Sequence, residues 1–377
     1  MPTNARLWFH PIVYPMFKPL FFTLIFNLLS FLTFGQDTLR TYHAEDTLKV
    51  KEVVLLVNGK ANGPVKRYDL EGKLVVIGNL KNDQRHGIFY DLDPETGDTL
   101  RQITFQNNQR EGEALSFYSD GTLRQRSNFL ANQLEGEVLS YLEDGTLSEK
   151  TPFKANKPEG ISIRYYPNGS IESKIGYLAG QFHGIREEYN DSGSLQYQGN
   201  YERGVLNGKE ESFFPDGSLR SRLFFNYGDL DGPYLLHHPN GKPERVGTYK
   251  KGAPDGDLLS YYPGGALKQK TTFSKGIPNS PSKSYYESGT LQQQEFYSKK
   301  GDKIKVENYY PSGQLASSIP FLNDLEEGEA ILYYENGKTQ EIRRFSKGRL
   351  DGIREFYTVN GLLERTESYE LGNKINK

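Results

Sequence analysis

The sequence predicts an all-β fold: an elongated single-layer antiparallel array of β-hairpin repeats with a period of 24 residues. Two series of glycines carry this prediction. In the first series, thirteen turn glycines run from Gly72 to Gly361 at steps of 24 residues, with one step of 25 between Gly72 and Gly97. The second series keeps the same phase from Gly63 to Gly352 and is interrupted only by Ser280 and Ile304.

The amino-terminal 35 residues differ from the rest of the chain because they are apolar from Leu20 to Phe34. This run is short for a bilayer span of roughly 20 residues, and the chain after it is polar, as in a secretory signal. We therefore predict a signal peptide over 1–35, an amino-terminal lead-in over 36–49, and one continuous array of about 13 repeats over 50–377. The alternative is an uncleaved amino-terminal anchor.

The composition favours a thin β structure over a thick hydrophobic core. Only 36% of the residues are hydrophobic, whereas there are 39 glycines, 26 tyrosines and 22 phenylalanines. The 46 Lys and Arg nearly balance the 48 Asp and Glu, so no overall charge points to nucleic acid or an anionic membrane. The absence of cysteine excludes disulfides, cysteine-ligated zinc and thiol nucleophiles.

Each unit is predicted to contain a strand, a tight turn, a second strand and a loop. Five units place proline two residues before the turn glycine (Pro167, Pro215, Pro239, Pro263, Pro311). Proline cannot adopt a positive φ, so these turns are predicted to be type I, followed by glycine in the left-handed region, in a three-residue hairpin loop. The loops usually carry Gly or Asn at a fixed place, where a positive φ is tolerated.

The turn type also predicts which residues share a face. In that register Tyr165 lies opposite Ile171, and strand alternation then puts Tyr177 on the same side. We therefore expect one face to be a ladder of aromatic residues and leucines. The other face is expected to hold polar and basic positions, namely Arg126, Lys150, Lys174, Arg222 and Lys270.

The repeat pattern x-G-x-x-x-x-Y-Y-x-x-G-x-L-x-x-x-x-x-Y-x-x-G resembles the variant MORN repeat, the form found in bacterial YwqK-type antitoxins of toxin-antitoxin systems. One unit fits it at Gly160, Tyr165, Tyr166, Gly169, Ile171, Tyr177 and Gly180. The resemblance covers about residues 50 to 373. It implies an elongated antiparallel sheet that serves as a scaffold or binding surface, with no catalytic residues.

No motif of an enzyme is present, since the chain lacks a P-loop, a dinucleotide fingerprint, His-Glu-x-x-His and Gly-x-Ser-x-Gly. We expect no catalytic, cofactor-binding or metal-binding residues and no cofactor. Asp120, Asp144 and Asp216 are interpreted as turn residues. The segment DLDPETGD (91–98) has the acidity of a calcium loop but lacks the rest of its ligand spacing, so a longer hairpin is favoured.

His237 and His238 are adjacent and invite a metal interpretation. Neighbouring residues of a strand point to opposite faces, so both side chains cannot bind one metal without distorting the strand. We interpret them as a substituted Tyr-Tyr pair.

The candidate binding residues are Tyr262, Tyr286, Tyr310 and Tyr334, which precede their turn glycines by three residues. Exposed aromatic columns at a fixed pitch suit stacking on an extended ligand such as a glycan or peptide, with Lys174, Arg222 or Lys270 nearby for acidic groups. The alternative is that tyrosine favours strands and shields the backbone. The irregular units around Ser280 and Ile304 predict a local bend or a specialised contact, with neutral drift as the alternative.

The leading functional expectation is a secreted or envelope-associated, non-enzymatic β-repeat scaffold for protein-protein or cell-surface binding. Its expected partner is a protein or an extended surface ligand, not nucleic acid, and a membrane contact is expected only through an uncleaved amino-terminal segment. The alternative is a YwqK-like antitoxin that neutralises a toxin by direct binding. For the leading scaffold hypothesis, the expected location is outside the cell or in the periplasm or cell envelope, whereas the antitoxin alternative requires that the amino-terminal segment does not export the protein.

Overall fold

The computed structural model describes residues 36–375, and these residues form one open antiparallel sheet without a helix. This confirms the predicted all-β repeat array. The predicted signal peptide over 1–35 lies outside the described residues. No helix that could cross a membrane is found in the described part of the chain.

The 37 strands follow one another along the chain. They are β1 (Gln36–Tyr42), β2 (Val50–Val57), β3 (Lys60–Tyr68), β4 (Leu74–Lys81), β5 (Gln84–Arg85), β6 (Gly87–Leu92), β7 (Thr99–Gln106), β8 (Gln109–Phe117), β9 (Leu123–Leu130), β10 (Gln133–Leu134), β11 (Gly136–Tyr141), β12 (Leu147–Lys154), β13 (Lys157–Pro158), β14 (Gly160–Tyr165), β15 (Ile171–Leu178), β16 (Gln181–Tyr189), β17 (Leu195–Glu202), β18 (Val205–Phe213), β19 (Leu219–Asn226), β20 (Asp229–Leu230), β21 (Gly232–His237), β22 (Pro243–Lys250), β23 (Ala253–Pro254), β24 (Gly256–Tyr261), β25 (Leu267–Ser274), β26 (Ile277–Pro278), β27 (Ser282–Tyr285), β28 (Leu291–Tyr297), β29 (Lys303–Tyr309), β30 (Leu315–Leu322), β31 (Leu325–Glu326), β32 (Gly328–Tyr333), β33 (Thr339–Ser346), β34 (Arg349–Leu350), β35 (Gly352–Tyr357), β36 (Leu363–Glu370) and β37 (Asn373–Ile375). Each long strand pairs with the next one along the chain, as β14 with β15 and β15 with β16.

The predicted three-residue turns lie along one long side of the sheet, where the strands end. At Tyr166-Pro167-Asn168-Gly169, the amide of Gly169 donates to the carbonyl of Tyr166 at 2.8 Å, and the amide of Tyr166 donates to the carbonyl of Ser170 at 2.8 Å. Gly169 has φ 82°. Tyr165 pairs with Ile171, so the predicted turn and its register are confirmed. We call this side of the sheet the turn edge.

Two-residue loops lie along the opposite long side of the sheet, at the other ends of the strands. We call this side the loop edge. In one such loop Ala179 has φ 51° and Gly180 has φ 85°. Two successive positive φ values are those of a type I′ hairpin, whose twist matches that of the flanking strands. The positive φ values of this turn therefore explain why the sequence places glycine or asparagine at these loop positions.

The second glycine series marks a bulge near the loop edge. Tyr177 pairs with Phe182 whereas Ile175 pairs with Arg186, so residues 183–185 lie opposite Gly176 alone. Gly184, in the middle of this bulge, has φ 80°. Because non-glycine residues rarely adopt such a conformation, the period of the bulge appears in the sequence as a period of glycines.

A second bulge follows the turn and corrects the predicted faces. Arg164 pairs with Ser173 while Tyr165 pairs with Ile171, so Glu172 is an extra residue that reverses the alternation. The prediction that Tyr165 and Tyr177 share a face is therefore wrong. The same register shift follows the turns of the other hairpins, as between Ser140 and Tyr141.

The two faces consequently differ in chemistry. The tyrosine face holds the positions of Tyr165, Tyr189 and Lys174, and Lys174 Nζ lies 3.4 Å from the Tyr189 hydroxyl. The hydroxyl face holds the positions of Ser162, Ser173 and Tyr177. The basic column thus shares a face with one aromatic column, and the other aromatic column lies opposite.

The most buried side chains are small and lie on the hydroxyl face. Val65 is 0% exposed and Ala330 is 1% exposed, although residues 36–375 form no second layer over the sheet. The buried hydroxyl residues of this face are Ser127, Thr151, Ser162, Ser173, Ser221, Thr271, Ser282 and Ser317. Two pairs of them bond to each other across strands, Thr151 Oγ1 with Ser162 Oγ and Thr271 Oγ1 with Ser282 Oγ, each at 2.6 Å, which satisfies these buried hydroxyls.

A buried carboxylate replaces the hydroxyl in one repeat near the carboxyl-terminal end. Glu341 lies on the hydroxyl face and accepts hydrogen bonds from Arg343 at 2.7 Å and from Arg354 at 2.5 Å. Burial raises the pKa of Glu341, but the hydrogen bonds from the two guanidinium groups outweigh that effect and lower its pKa below the usual value.

Two glycine substitutions test the backbone geometry. Gly169→Ala meets open space and strains only the turn, so we expect a loss of about 1 to 2 kcal/mol in the free energy of unfolding. Gly176→Ala places its Cβ 2.1 Å from the carbonyl oxygen of His183, so a larger loss is expected although its φ is not positive. Urea unfolding of the two variants checks the order. A Gly176→Ala variant as stable as the wild type would contradict the bulge geometry.

Glu341→Gln tests the buried ion pairs by their pH dependence. We expect a loss of about 1.5 to 3 kcal/mol in unfolding free energy at neutral pH, since hydrogen bonds to charged groups are lost. The folded pKa is below the unfolded value of about 4.3, so the stabilisation is complete above that value and disappears as the pH falls through the folded pKa. The difference from the wild type should therefore shrink in acid.

The matched control is Glu364→Gln, whose side chain is 56% exposed and lies 3.7 Å from Arg365. Urea unfolding at neutral and acidic pH should show a change of at most about 0.5 kcal/mol for this variant. A Glu341→Gln effect that is equal at both pH values would show that the carboxylate charge contributes nothing.

Candidate functional site

The four predicted binding tyrosines form one row along the turn edge, one in each of four successive repeats. Each is half-buried at the end of its strand, and its hydroxyl donates to a backbone carbonyl of the next repeat. The bonds join Tyr262 to Tyr285 at 2.8 Å, Tyr286 to Tyr309 at 2.9 Å, Tyr310 to Tyr333 at 2.7 Å and Tyr334 to Tyr357 at 2.8 Å. The hydroxyls are thus already used to connect repeats, and the rings are the part left for a ligand.

The same connection explains the adjacent histidines. Nε2 of His238 lies 2.9 Å from the carbonyl oxygen of Tyr261, where other repeats place a tyrosine hydroxyl. A carbonyl only accepts, so Nε2 carries the proton. His237 occupies the neighbouring aromatic position, and its buried Nδ1 has no hydrogen-bond partner in the part of the chain that the structure describes. The interpretation as a substituted Tyr-Tyr pair agrees with these contacts, and residues 36–375 contain no group of three potential metal ligands.

Basic side chains lie over Tyr262 of the tyrosine row and over the equivalent tyrosine of another repeat, Tyr118. Lys268 Nζ lies 5.6 Å from the centroid of the Tyr262 ring, and Arg124 Cζ lies 5.8 Å from that of Tyr118. These distances are within the range of cation–π attraction. The sequence feature that indicates these cation–π contacts is a Lys or Arg three residues after the turn glycine. The sequence prediction did not include these contacts.

The basic column of the tyrosine face is paired within the sheet. The contacts are Lys174 to Glu187 at 3.6 Å, Arg222 to Glu211 at 2.6 Å and Lys270 to Asp257 at 2.6 Å. The hydrogen bond to Asp257 raises the pKa of Lys270. Because each of these cations has a carboxylate partner, they offer less charge to a ligand than their number in the sequence indicates.

The acidic segment 91–98 is a hairpin whose carboxylates are used locally. Asp93 accepts the amides of Glu95 at 2.8 Å and Thr96 at 3.0 Å, and these bonds lower its pKa. Asp91 pairs with Arg101 at 2.8 Å. The structure therefore agrees with the interpretation as a longer hairpin.

The irregular units around Ser280 and Ile304 form a groove at the loop edge. It has a volume of ≈ 510 Å³ and is lined by apolar side chains, Asn279, serines and two lysines. The sequence identified this place by its two prolines, Pro278 and Pro281, and its missing unit glycine. It did not predict a groove, because the opening depends on how two neighbouring strands pair.

Known structures with some likeness to this chain are parts of much larger proteins. A chain in the crystal structure of TcdB2-TccC3-Cdc42 is 13% identical, with 90% of this chain and 23% of that chain covered and a TM-score of 0.16. For TcdB2-TccC3 the values are 12%, 90%, 24% and 0.14, and for TcdB2-TccC3-TEV they are 13%, 89%, 22% and 0.16. This chain thus spans less than a quarter of their length. No curated protein matches it.

A protein-family comparison gives a direct match. The model of the MORN repeat variant matches ten segments that together cover more than half of the chain: 61–82, 110–131, 134–155, 158–179, 182–203, 206–227, 230–251, 279–299, 304–323 and 326–347. Between matched segments, the strands keep the same alternation of turn edge and loop edge, as in β24 and β25. The chain belongs to the MORN repeat variant family.

Proposed function

We propose that this protein is a secreted or envelope-associated, non-enzymatic scaffold that binds a protein or an extended surface ligand such as a peptide or glycan. The observation that carries the proposal is the repetition of the same side chain at the same place in successive repeats along an open sheet. The row Tyr262, Tyr286, Tyr310 and Tyr334 is the example. A ligand with its own repeat could contact several units at once, and each additional contact would raise its affinity.

The tyrosine rings are the proposed contacts of this scaffold. Their hydroxyls are held by the next repeat, so the ring planes are positioned before a ligand arrives. A pre-organised aromatic ring loses little conformational entropy on binding. Peptide side chains and sugar rings both stack on such surfaces.

We propose no catalytic role for the acidic residues. Asp120, Asp144 and Asp216 accept amides of their own turns at 2.8 to 2.9 Å, and those hydrogen bonds lower their pKa values. A carboxylate with a lowered pKa that bonds to its own turn is typical of a structural aspartate. No cofactor is proposed.

A YwqK-like antitoxin is the competing function, since it would use the same scaffold to bind a toxin directly. Family membership is compatible with both functions. The location of the protein separates them because an antitoxin of this kind acts inside the cell.

Alanine and phenylalanine substitutions at Tyr286 and Tyr310 separate binding from folding. The double Phe variant keeps the rings and loses two hydrogen bonds, so we expect unchanged partner binding and a loss of about 1 kcal/mol per bond. The double Ala variant should also lose at least about tenfold in partner binding, because aromatic contacts at binding surfaces are often worth more than 1.4 kcal/mol. Binding is measured as retention of the full chain on the isolated envelope of the producing cells.

The control is Tyr227→Ala at the loop edge, where the side chain is 60% exposed. It should bind like the wild type. Retention of the double Ala variant at the wild-type level would overturn the proposed role of the tyrosine row.

Cell fractionation with amino-terminal sequencing tests the location. We expect a protein outside the cytoplasm with a mature start near Gln36, since the predicted signal would be removed there. A cytoplasmic protein that retains residues 1–35 would contradict secretion and favour the antitoxin function.

A further inference from the structure

The groove at the loop edge exists because two strands stop pairing early. In a regular hairpin the ladder between β24 and β25 extends to Asp257↔Thr272 and Gly256↔Phe273. Between β27 and β28 it ends at Ser282↔Glu295. Phe296 and Tyr297 therefore have no ladder partner on β27. The residue before Ser282 is Pro281, which has no amide hydrogen to donate.

Apolar side chains line this opening. Ile277, Pro278, Pro281, Phe296 and Ile304 contribute to the groove. Ile277 is 42% exposed and Ile304 is 46% exposed. Exposed apolar surface inside a concave site is typical of a binding site, because burying it on association is favourable.

The two sides of the groove are held close together. A Cβ at Gly301 would lie 3.0 Å from Cγ2 of Ile277, and Gly301 has φ 93°. The loop 298–302 therefore packs against β26, which contains Ile277. In the loop 298–302 the amide of Ser298 donates to the carbonyl of Asp302 at 2.8 Å, the same bond as in the three-residue turns of the other edge. The groove thus has β26 on one side and the loop 298–302 on the other.

Exposed positive charge lies at the groove. The surrounding residues 266–306 contain eight lysines and three carboxylates, but Lys268 lies over Tyr262 at the turn edge, and Lys270 and Lys305 pair with carboxylates outside this range. Lys275 and Lys299 are exposed and line the groove. No ion pair within residues 36–375 includes either of them, in contrast to the paired cations of the tyrosine face.

Two further lysines near the groove lie over aromatic rings. Lys305 Nζ is 4.1 Å from the centroid of the Phe296 ring, and Lys303 Nζ is 4.4 Å from that of Phe321. Lys305 also pairs with Glu307 at 2.7 Å. The free positive charge at the groove is therefore that of Lys275 and Lys299, together with the neighbouring exposed Lys300.

We propose that this groove is the docking site for an acidic peptide segment of a partner protein. One apolar side chain of the segment would enter between Ile277 and Ile304, and its carboxylates would lie against Lys275 and Lys299. Phe296 and Tyr297 pair with β29 on one side of their strand, and on the β27 side they could pair with an extended backbone. A peptide supplies all three elements, whereas an anionic glycan supplies only the charge.

This inference deepens the proposed binding function by naming the chemistry of one partner. The groove lies at the loop edge and the tyrosine row at the turn edge. Substitution of the tyrosines should therefore leave peptide binding at the groove unchanged. The tyrosine proposal and the groove proposal can be contradicted separately.

The experiment measures fluorescence anisotropy with a labelled peptide, Glu-Asp-Glu-Phe-Glu-Asp-Glu, and the purified full chain. We expect saturable binding that weakens as salt is added, since exposed charges are screened. A peptide with alanine in place of phenylalanine and a peptide with lysines in place of the acidic residues should each bind at least about tenfold more weakly.

The double variant Lys275→Glu, Lys299→Glu should lower the affinity by about tenfold or more. The matched control is Lys347→Glu, because Lys347 has the same loop position in a regular repeat and the same φ of 50° as Lys275. It should stay within about twofold of the wild type, a range expected of a distant surface charge.

Ile304→Ser tests the apolar contact separately, with thermal unfolding to verify that the variant is folded. It should weaken binding of the phenylalanine peptide and leave binding of the alanine peptide unchanged. Equal affinity of the double lysine variant and the wild type would overturn the proposal, as would equal affinity for the two peptides. Binding of heparin that depends on Lys275 and Lys299, without binding of the acidic peptide, would also overturn it in favour of an anionic glycan.

Discussion

The sheet depends on backbone pairing between strands that are neighbours in the sequence, and this pairing depends on glycines with a positive φ. Gly184 occupies a bulge near the loop edge, and Gly169 ends the type I turn at the opposite edge. A residue with a side chain at these positions would be strained, because it would have to adopt a positive φ. This strain would recur every 24 residues. Stability in such an array comes from each unit and its neighbours, so a local defect affects its surroundings first.

A single layer cannot bury a thick apolar core, and its side chains reflect this limit. The buried column of the hydroxyl face consists largely of small residues such as Ser162 and Ala330. Hydrogen bonds between repeats add to the backbone ladder. The Tyr166 hydroxyl bonds to the Tyr189 carbonyl at the turn edge, and the Glu159 carboxylate accepts the Ala179 amide at the loop edge. These contacts join consecutive repeats at both edges.

The units around Ser280 and Ile304 differ in chemistry from the regular repeats. Across the tyrosine face the cations are matched by carboxylates, as Lys270 is by Asp257, so the regular repeats present little unbalanced charge. At the groove the ladder is shortened and apolar residues are exposed, and among residues 36–375 no carboxylate forms an ion pair with Lys275 or Lys299. Within the described repeats, the two irregular units thus add a site of different chemistry to a uniform surface for extended contacts.

The sequence by itself determined the period, the turn type at Pro167-Asn168-Gly169 and the pairing of Tyr165 with Ile171, because proline fixes φ locally and glycine allows a positive φ. It also located the irregular units by their missing glycine. Only the tertiary structure decided that Tyr177 and Tyr165 lie on different faces of the sheet, that the tyrosine hydroxyls connect repeats, and that a groove opens beside Ile304. The reason is physical: one extra residue in a bulge, such as Glu172, reverses every later side chain, and its position is set by pairing between strands rather than by local residue preference.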